Sequence, residues 1–137
     1  MRKLRSLVIT PIDAAGRRVN DAVRRALLEL GVEVARFDDI TPGASWANAI
    51  TDNIRSSDFL VVDVSSQNPN VFYELGFAHA MRKPSIIIAS AEGMGSLPSD
   101  LSGFQFIVYD PSNLRDLVTG VQRAAKPLIS EAAAKYE

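Results

Sequence analysis

Apolar residues in this chain fall into short continuous runs separated by stretches of helical spacing. Leu4 to Thr10 is an apolar run closed by Pro11 and suits a central strand buried on both faces. Val19, Ala22, Val23, Ala26, Leu27 and Leu30 then recur at helical intervals, and Gly31 follows where a left-handed cap belongs. Val32 to Phe37 reads as a second strand and Asp38 to Ala44, with its Thr-Pro-Gly, as a loop. Trp46, Ile50 and Ile54 lie four apart and mark a helix over Ser45 to Ser56. Phe59 to Val64 is a third apolar run, followed by the polar turn Ser65 to Asn70, a nearly wholly apolar helix, and a fourth run at Ser85 to Ala89. Ser90 to Ser102, rich in Gly, Ser and Pro, predicts an irregular segment. Phe104 to Tyr109 supplies the fifth strand. Asp110-Pro111 or Ser112 opens a last helix with Leu114, Leu117, Val118, Val121 and Ala125 on one face; Pro127 is expected to bend or end it, leaving Leu128 to Glu137 as a short extra helix or a frayed tail.

Strands alternating with helices predict one α/β domain over residues 1–137, a three-layer, doubly wound, five-stranded parallel sheet. The flavodoxin-like order 2-1-3-4-5 suits the length. It would gather the loops after strands one, three and four around a crevice at the switch point between strands one and three.

Composition narrows the classes. Fifteen basic and sixteen acidic residues leave a net charge of −1, so no global field attracts a nucleic acid polymer or an acidic membrane. Arg17, Arg18, Arg24 and Arg25 cluster on the first helix, where solvated arginines opposite an apolar stripe are the ordinary arrangement. The absence of cysteine removes disulfides and thiolate chemistry and fits a reducing, cytoplasmic setting. No apolar run is long enough to span a bilayer, and the opening Met-Arg-Lys-Leu-Arg lacks the apolar core of a signal peptide. There is no GxGxxG after the first strand, no GxxxxGK[ST], no HExxH and no GxSxG. With one histidine, a transition-metal site would need a carboxylate cluster that the sequence does not display; neither a metal nor a cofactor is expected.

One residue stands out against this background. Glu74 lies within the apolar helix, and its neighbours three and four positions away are Asn70, Val71, Phe77 and Ala78, none a cation. Desolvation should raise its pKa while the positive end of the helix dipole opposes the rise. A capping glutamate belongs at the third helical position, whereas Asn68 or Asn70 as cap puts Glu74 at the sixth or the fourth. Asp63 ends the third strand, where it can accept hydrogen bonds from sugar hydroxyls or form a turn. Asn68 and Asn70 offer amides at a helix entry, as ligand contacts or caps. His79 lies five residues beyond Glu74 and projects to a different face.

The segment Asp63 to Pro84, above all Asn68-Pro69-Asn70-Val71-Phe72-Tyr73-Glu74-Leu75-Gly76-Phe77-Ala78-His79-Ala80 followed by Lys83-Pro84, resembles the nucleoside 2-deoxyribosyltransferase-like superfamily and its relatives among TIR-like nucleotide-binding domains. The likeness is specific in that helix and elsewhere is one of layout. It implies that Glu74 stands at the place of the nucleophile that attacks the anomeric carbon of a nucleoside. In TIR enzymes a glutamate on the corresponding helix serves cleavage of NAD. The chain departs from the pattern at two places: Asn68 stands near the position where an aspartate handles the base, and Thr10 to Arg17 lacks the Gly-Ser-Ile-Arg or Gly-Pro pattern that holds sugar or phosphate.

Together these readings give two expectations. The first is an N-glycosidic bond hydrolase or transferase acting on a nucleoside, nucleotide or NAD, with Glu74 as nucleophile, Asp63 positioning ribose hydroxyls, and Thr10, Ile12, Asp13, Asn68 and Asn70 lining the pocket. The second is a non-catalytic, TIR-like nucleotide-binding sensor that uses the same pocket. Val71, Phe72, Phe77, Ala78 and Met81 encircle more of the Glu74 helix than one sheet face covers, which predicts a homodimer or higher homo-oligomer.

Overall fold

The computed structural model describes residues 3–35, 46–66, 68–92 and 106–135. In chain order the elements are β1 (Arg5–Ile9), α1 (Ala14–Glu29), β2 (Glu33–Ala35), α2 (Trp46–Ser56), β3 (Phe59–Asp63), α3 (Pro69–Ala80), β4 (Ser85–Ser90), β5 (Phe106–Tyr109) and α4 (Leu114–Lys135). All neighbouring strands pair parallel in the order β2-β1-β3-β4-β5. The register sets Ser6 beside Phe59 and Leu60 beside Ser85, so the carboxyl ends of β1, β3 and β4 form one edge.

The continuous apolar runs are explained by burial on both sides. Val8, Phe59, Val61, Ile86 and Ile88 point into a core closed by Val19, Val23 and Leu27 of α1 and Leu117 and Val121 of α4. Leu7, Ile9, Leu60, Val62 and Ile87 point the other way, against Ile54 of α2 and Val71, Leu75 and Ala78 of α3. Helices therefore cover both faces, as a parallel sheet requires.

Caps place the helices where their signals stand. Asp13 accepts the Gly16 N–H at 2.7 Å to open α1. Gly31 ends it with φ 80°, and the Val32 N–H reaches the Leu27 carbonyl at 3.1 Å, the six-to-one bond of a Schellman cap. Asn68 opens α3 by accepting the Asn70 N–H at 2.9 Å, with Pro69 in the first turn, where its missing N–H costs nothing. Asp110 takes the Ser112 N–H at 2.9 Å and precedes α4 as a turn.

The last helix departs from expectation. Pro127 neither ends α4 nor leaves a separate tail: one helix runs from Leu114 to Lys135. The carbonyl that Pro127 cannot satisfy belongs to Arg123, and both residues are exposed, so water can take the bond. Beyond the proline, Leu128 and Ile129 pack on the core and hold the helix down. The second strand covers Glu33–Ala35 among the described residues, with Arg36 of its expected range lying outside them, and β4 extends to Ser90. Phe37, Phe104, the loop 38–44 and residues 93–102 of the irregular segment lie outside the described residues.

Candidate functional site

The chain leaves β1 for α1 on one face of the sheet and leaves β3 for α3 on the other, while β1 and β3 are neighbours. Their carboxyl ends therefore part around the switch point of a doubly wound sheet, the place where such folds open a crevice. Thr10, Ile12 and Asp13 follow β1, Asp63 ends β3, and Asn68 and Asn70 begin α3, so the topology brings six of the seven expected residues to this edge.

On the β1 side, Thr10 Oγ1 accepts from Asn20 Nδ2 of α1 at 3.1 Å, which ties the loop to the second turn of the helix. Asp13 is the cap of α1, and its negative charge reaches as far as the Tyr109 hydroxyl. Ile12 is 89% exposed, an apolar side chain with nothing of its own chain to cover it. Gly16 sits in the first turn of α1 so close to the loop that a Cβ would fall 1.9 Å from the Pro11 carbonyl oxygen.

Asp63 is 1% exposed. By alternation with Phe59 and Val61 its side chain turns to the α1/α4 face, and there the Tyr109 hydroxyl donates to its Oδ2 at 2.6 Å. The Ser65 N–H donates to Oδ1 at 2.9 Å. Where the sequence reading has Asp63 offering its oxygens to sugar hydroxyls, both oxygens are bonded from within the chain. Burial, and then the hydrogen bond to Asp63, hold the Tyr109 hydroxyl well above its ordinary pKa.

Glu74 occupies the sixth position of α3, counted from the Asn68 cap, on the opposite side of the sheet from Asp63. It is 9% exposed, and among the described residues its carboxylate receives no hydrogen bond and no ion pair. Desolvation raises its pKa from the ordinary 4.5 to about 7. An acid so placed holds its proton more tightly folded than unfolded. As pH rises from about 4.5 to about 7 the unfolded chain ionises first, so the Glu74 contribution to stability is lost across that window and levels off above it. If the carboxylate is a reacting form, any activity that depends on it should climb with pH through about 7 while thermal stability falls; a rate independent of pH between 5 and 8 would contradict that.

Tyr109, Ser65 and Ser90 were not legible as site residues. Tyr109 reads as the apolar end of a strand, and its partner Asp63 is 46 residues away. The signal available was a hydroxyl-bearing aromatic at the carboxyl end of β5, on the same edge of the sheet as Asp63. His79 is exposed, as are Arg17, Arg18 and Arg25, and Arg24 leans on Asn20 with 3.3 Å between Nη2 and Oδ1. Among the described residues no three His, Cys, Asp or Glu side chains converge as a metal site, and no helix is long and apolar enough to cross a membrane.

No protein-family model matches the sequence, and no curated protein matches it. Solved structures do match by shape. The CMP N-glycosidase BcmB of Clostridium botulinum superposes with a TM-score of 0.64 at 18% identity, over 85% of this chain and 97% of that one. The 2-deoxyribosyltransferase of the psychrotolerant bacterium Bacillus psychrosaccharolyticus superposes with a TM-score of 0.59 at 13% identity, over 83% and 90%. The chain thus has a nucleoside 2-deoxyribosyltransferase-like fold.

Proposed function

We propose that the protein breaks the N-glycosidic bond of a nucleoside or nucleotide, with Glu74 as the nucleophile. The observation that carries this reading is a buried carboxylate in the second turn of an apolar helix, without a partner among the described residues, in a fold shared with a CMP N-glycosidase and a 2-deoxyribosyltransferase. A structural acid would be capping, ion-paired or solvated. Among the described residues Glu74 is none of these.

In this reading the ionised Glu74 attacks the anomeric carbon as the bond to the base breaks. The bonding pair leaves with the base, which is protonated as it departs, and a glycosyl ester remains on Glu74. Water, or the nitrogen of a second base, then attacks the same carbon and returns the carboxylate. A pKa of about 7 leaves a substantial share of Glu74 ionised at neutral pH and makes it a better leaving group than a hydroxyl in the second step. Thr10, Ile12, Asp13, Asn68 and Asn70 line the pocket, and the exposed Ile12 gives the base or sugar an apolar surface. Asp63 serves the same site from beneath.

Incubation with NAD and a panel of nucleosides and nucleotides, with chromatography for free base, tests the proposal. Release of base from at least one of them is expected. Binding without release from any would sink it in favour of a nucleotide sensor.

The protein is further expected to self-associate through α3. Val71 and Ala78 are consumed by the chain's own core, Phe72 and Phe77 pack partly against it, and Arg55 lies 5.6 Å from the centre of the Phe77 ring. What remains outward is Tyr73, 70% exposed, with Asn70, Gly76, His79, Ala80 and Met81, and no Asp, Glu, Lys or Arg of the helix lies on that side. A solvent side with so few charged groups, carrying an exposed tyrosine and methionine, is better suited to an interface than to water alone. Light scattering at micromolar protein should give a dimer or larger, and a monomer mass would remove this surface as an interface.

A further inference from the structure

The polar groups at the carboxyl ends of β3, β4 and β5 are joined in one circuit. Tyr109 donates its hydroxyl hydrogen to Asp63 Oδ2 at 2.6 Å, and the Ser65 N–H donates to Asp63 Oδ1 at 2.9 Å. The Ser90 N–H donates to Ser65 Oγ at 2.7 Å, and the Ser65 and Tyr109 hydroxyl oxygens lie 3.4 Å apart. A tyrosine hydroxyl has one hydrogen, already committed to Asp63, so Ser65 is the donor in that last contact. Every side-chain hydrogen in the circuit therefore runs towards Asp63.

This circuit adjoins the turn that leads from β3 into α3. The last ladder bond of β3 is from the Val64 N–H to the Ile88 carbonyl at 3.0 Å. After it, among the described residues, the Asn68 N–H meets Ser66 Oγ at 3.4 Å, the Asn70 N–H meets Asn68 Oδ1 at 2.9 Å and the Val71 N–H meets the Asn68 carbonyl at 3.0 Å. Helix α3 starts at Pro69, so the orientation of this short turn sets the direction in which the helix leaves the sheet. Ser90 and Tyr109 belong to β4 and β5, 25 and 46 residues along the chain from their partners, and they tie the turn to the rigid sheet.

We propose that Asp63, Tyr109 and Ser65 are positioning residues, a brace that fixes the β3–α3 turn and through it the placement of Glu74, and not contacts for the ligand. Asp63 is sealed at 1% exposure with both oxygens engaged, which suits an anchor and not a sugar-binding acid. The inference rests on the reading of Glu74 as nucleophile, because the purpose of the brace is the aim of that carboxylate.

Tyr109→Phe and Ser65→Ala, compared with the native protein, test it. Each should lower kcat by about tenfold or more with KM within about threefold, since a small misplacement of a reacting group costs rate before it costs binding. The amides of residues 65–72 should exchange hydrogen about tenfold faster in both variants, while thermal midpoints stay above the assay temperature. Ser65→Ala keeps the N–H bond to Asp63 and loses both hydroxyl contacts, so it decides the matter if Tyr109→Phe does not fold. A raised KM with kcat held would mean that these groups touch the ligand and would overturn the brace. So would native exchange rates across the turn. Absence of base release by the native protein sinks the glycosidic reading alone, and the exchange comparison still decides whether the brace exists.

Discussion

Glu74→Gln should fold normally, bind ligand, and release base at least about a thousandfold more slowly than the native protein. Gln has nearly the shape of Glu and retains a carbonyl oxygen, but it cannot supply the negative charge that captures an oxocarbenium-like carbon. The side chain is buried without a partner among the described residues, so removal of its charge relieves a desolvation penalty instead of breaking a bond. The variant's thermal midpoint should accordingly exceed the native one at pH 8, where Glu74 is ionised, and match it near pH 4, where both side chains are neutral. Rate and stability thus move in opposite directions. A structural acid would behave otherwise: stability would drop and activity would fall only with the folded fraction. Base release by Glu74→Gln at close to the native rate would rule out the nucleophile.

The second large effect is expected at Gly16. A Cβ there would lie 1.9 Å from the Pro11 carbonyl oxygen and 2.6 Å from its carbon, and both are backbone atoms that cannot swing aside. Gly16→Ala must therefore push the first turn of α1 away from the loop after β1. The same residue donates the capping bond to Asp13, so the cap is strained along with the loop. Overpacking of this kind costs about 1–3 kcal/mol and a lost cap about 1 kcal/mol. Together they should lower the thermal midpoint by roughly 10 °C in a domain of this size. Because Thr10, Ile12 and Asp13 lie on that loop, ligand affinity should weaken as well. Gly76→Ala is the natural contrast. Gly76 is helical, exposed and has open space where a Cβ would go, so the substitution should stabilise the monomer by about 0.5–1 kcal/mol. A midpoint for Gly16→Ala within about 2 °C of native would show that the loop yields without cost.

Much of the architecture can be read from the chain because its signals are local. An apolar run flanked by Pro11 or by a polar turn can only be satisfied between two helical layers, and helical spacing such as Val19, Val23, Ala26 and Leu27 has one face to bury. The cap Asn68 and the left-handed Gly31 lie within a few residues of the groups they satisfy, so they too were legible. Glu74 stood out for the same reason: helical neighbours without a cation are visible in sequence, and the penalty for burying its charge follows from them.

Tertiary structure decided what depended on distant partners. Pro127 is a helix breaker by local rule, yet α4 runs through it because Leu128 and Ile129 pack on the core while Arg123, whose carbonyl the proline leaves without its bond, is an exposed residue. The apolar girdle of α3 exceeds what one sheet face covers, but only the fold decides its division: Val71 and Ala78 are spent on the sheet and Tyr73 remains outside. Asp63 could equally have been a sugar acceptor or a turn former, since its sequence neighbours are the same in both cases. Its bonds from Tyr109, on β5, and from Ser65 exist because three parallel strands end at one edge, and a hydrogen bond spanning 46 residues leaves no periodic trace in the chain.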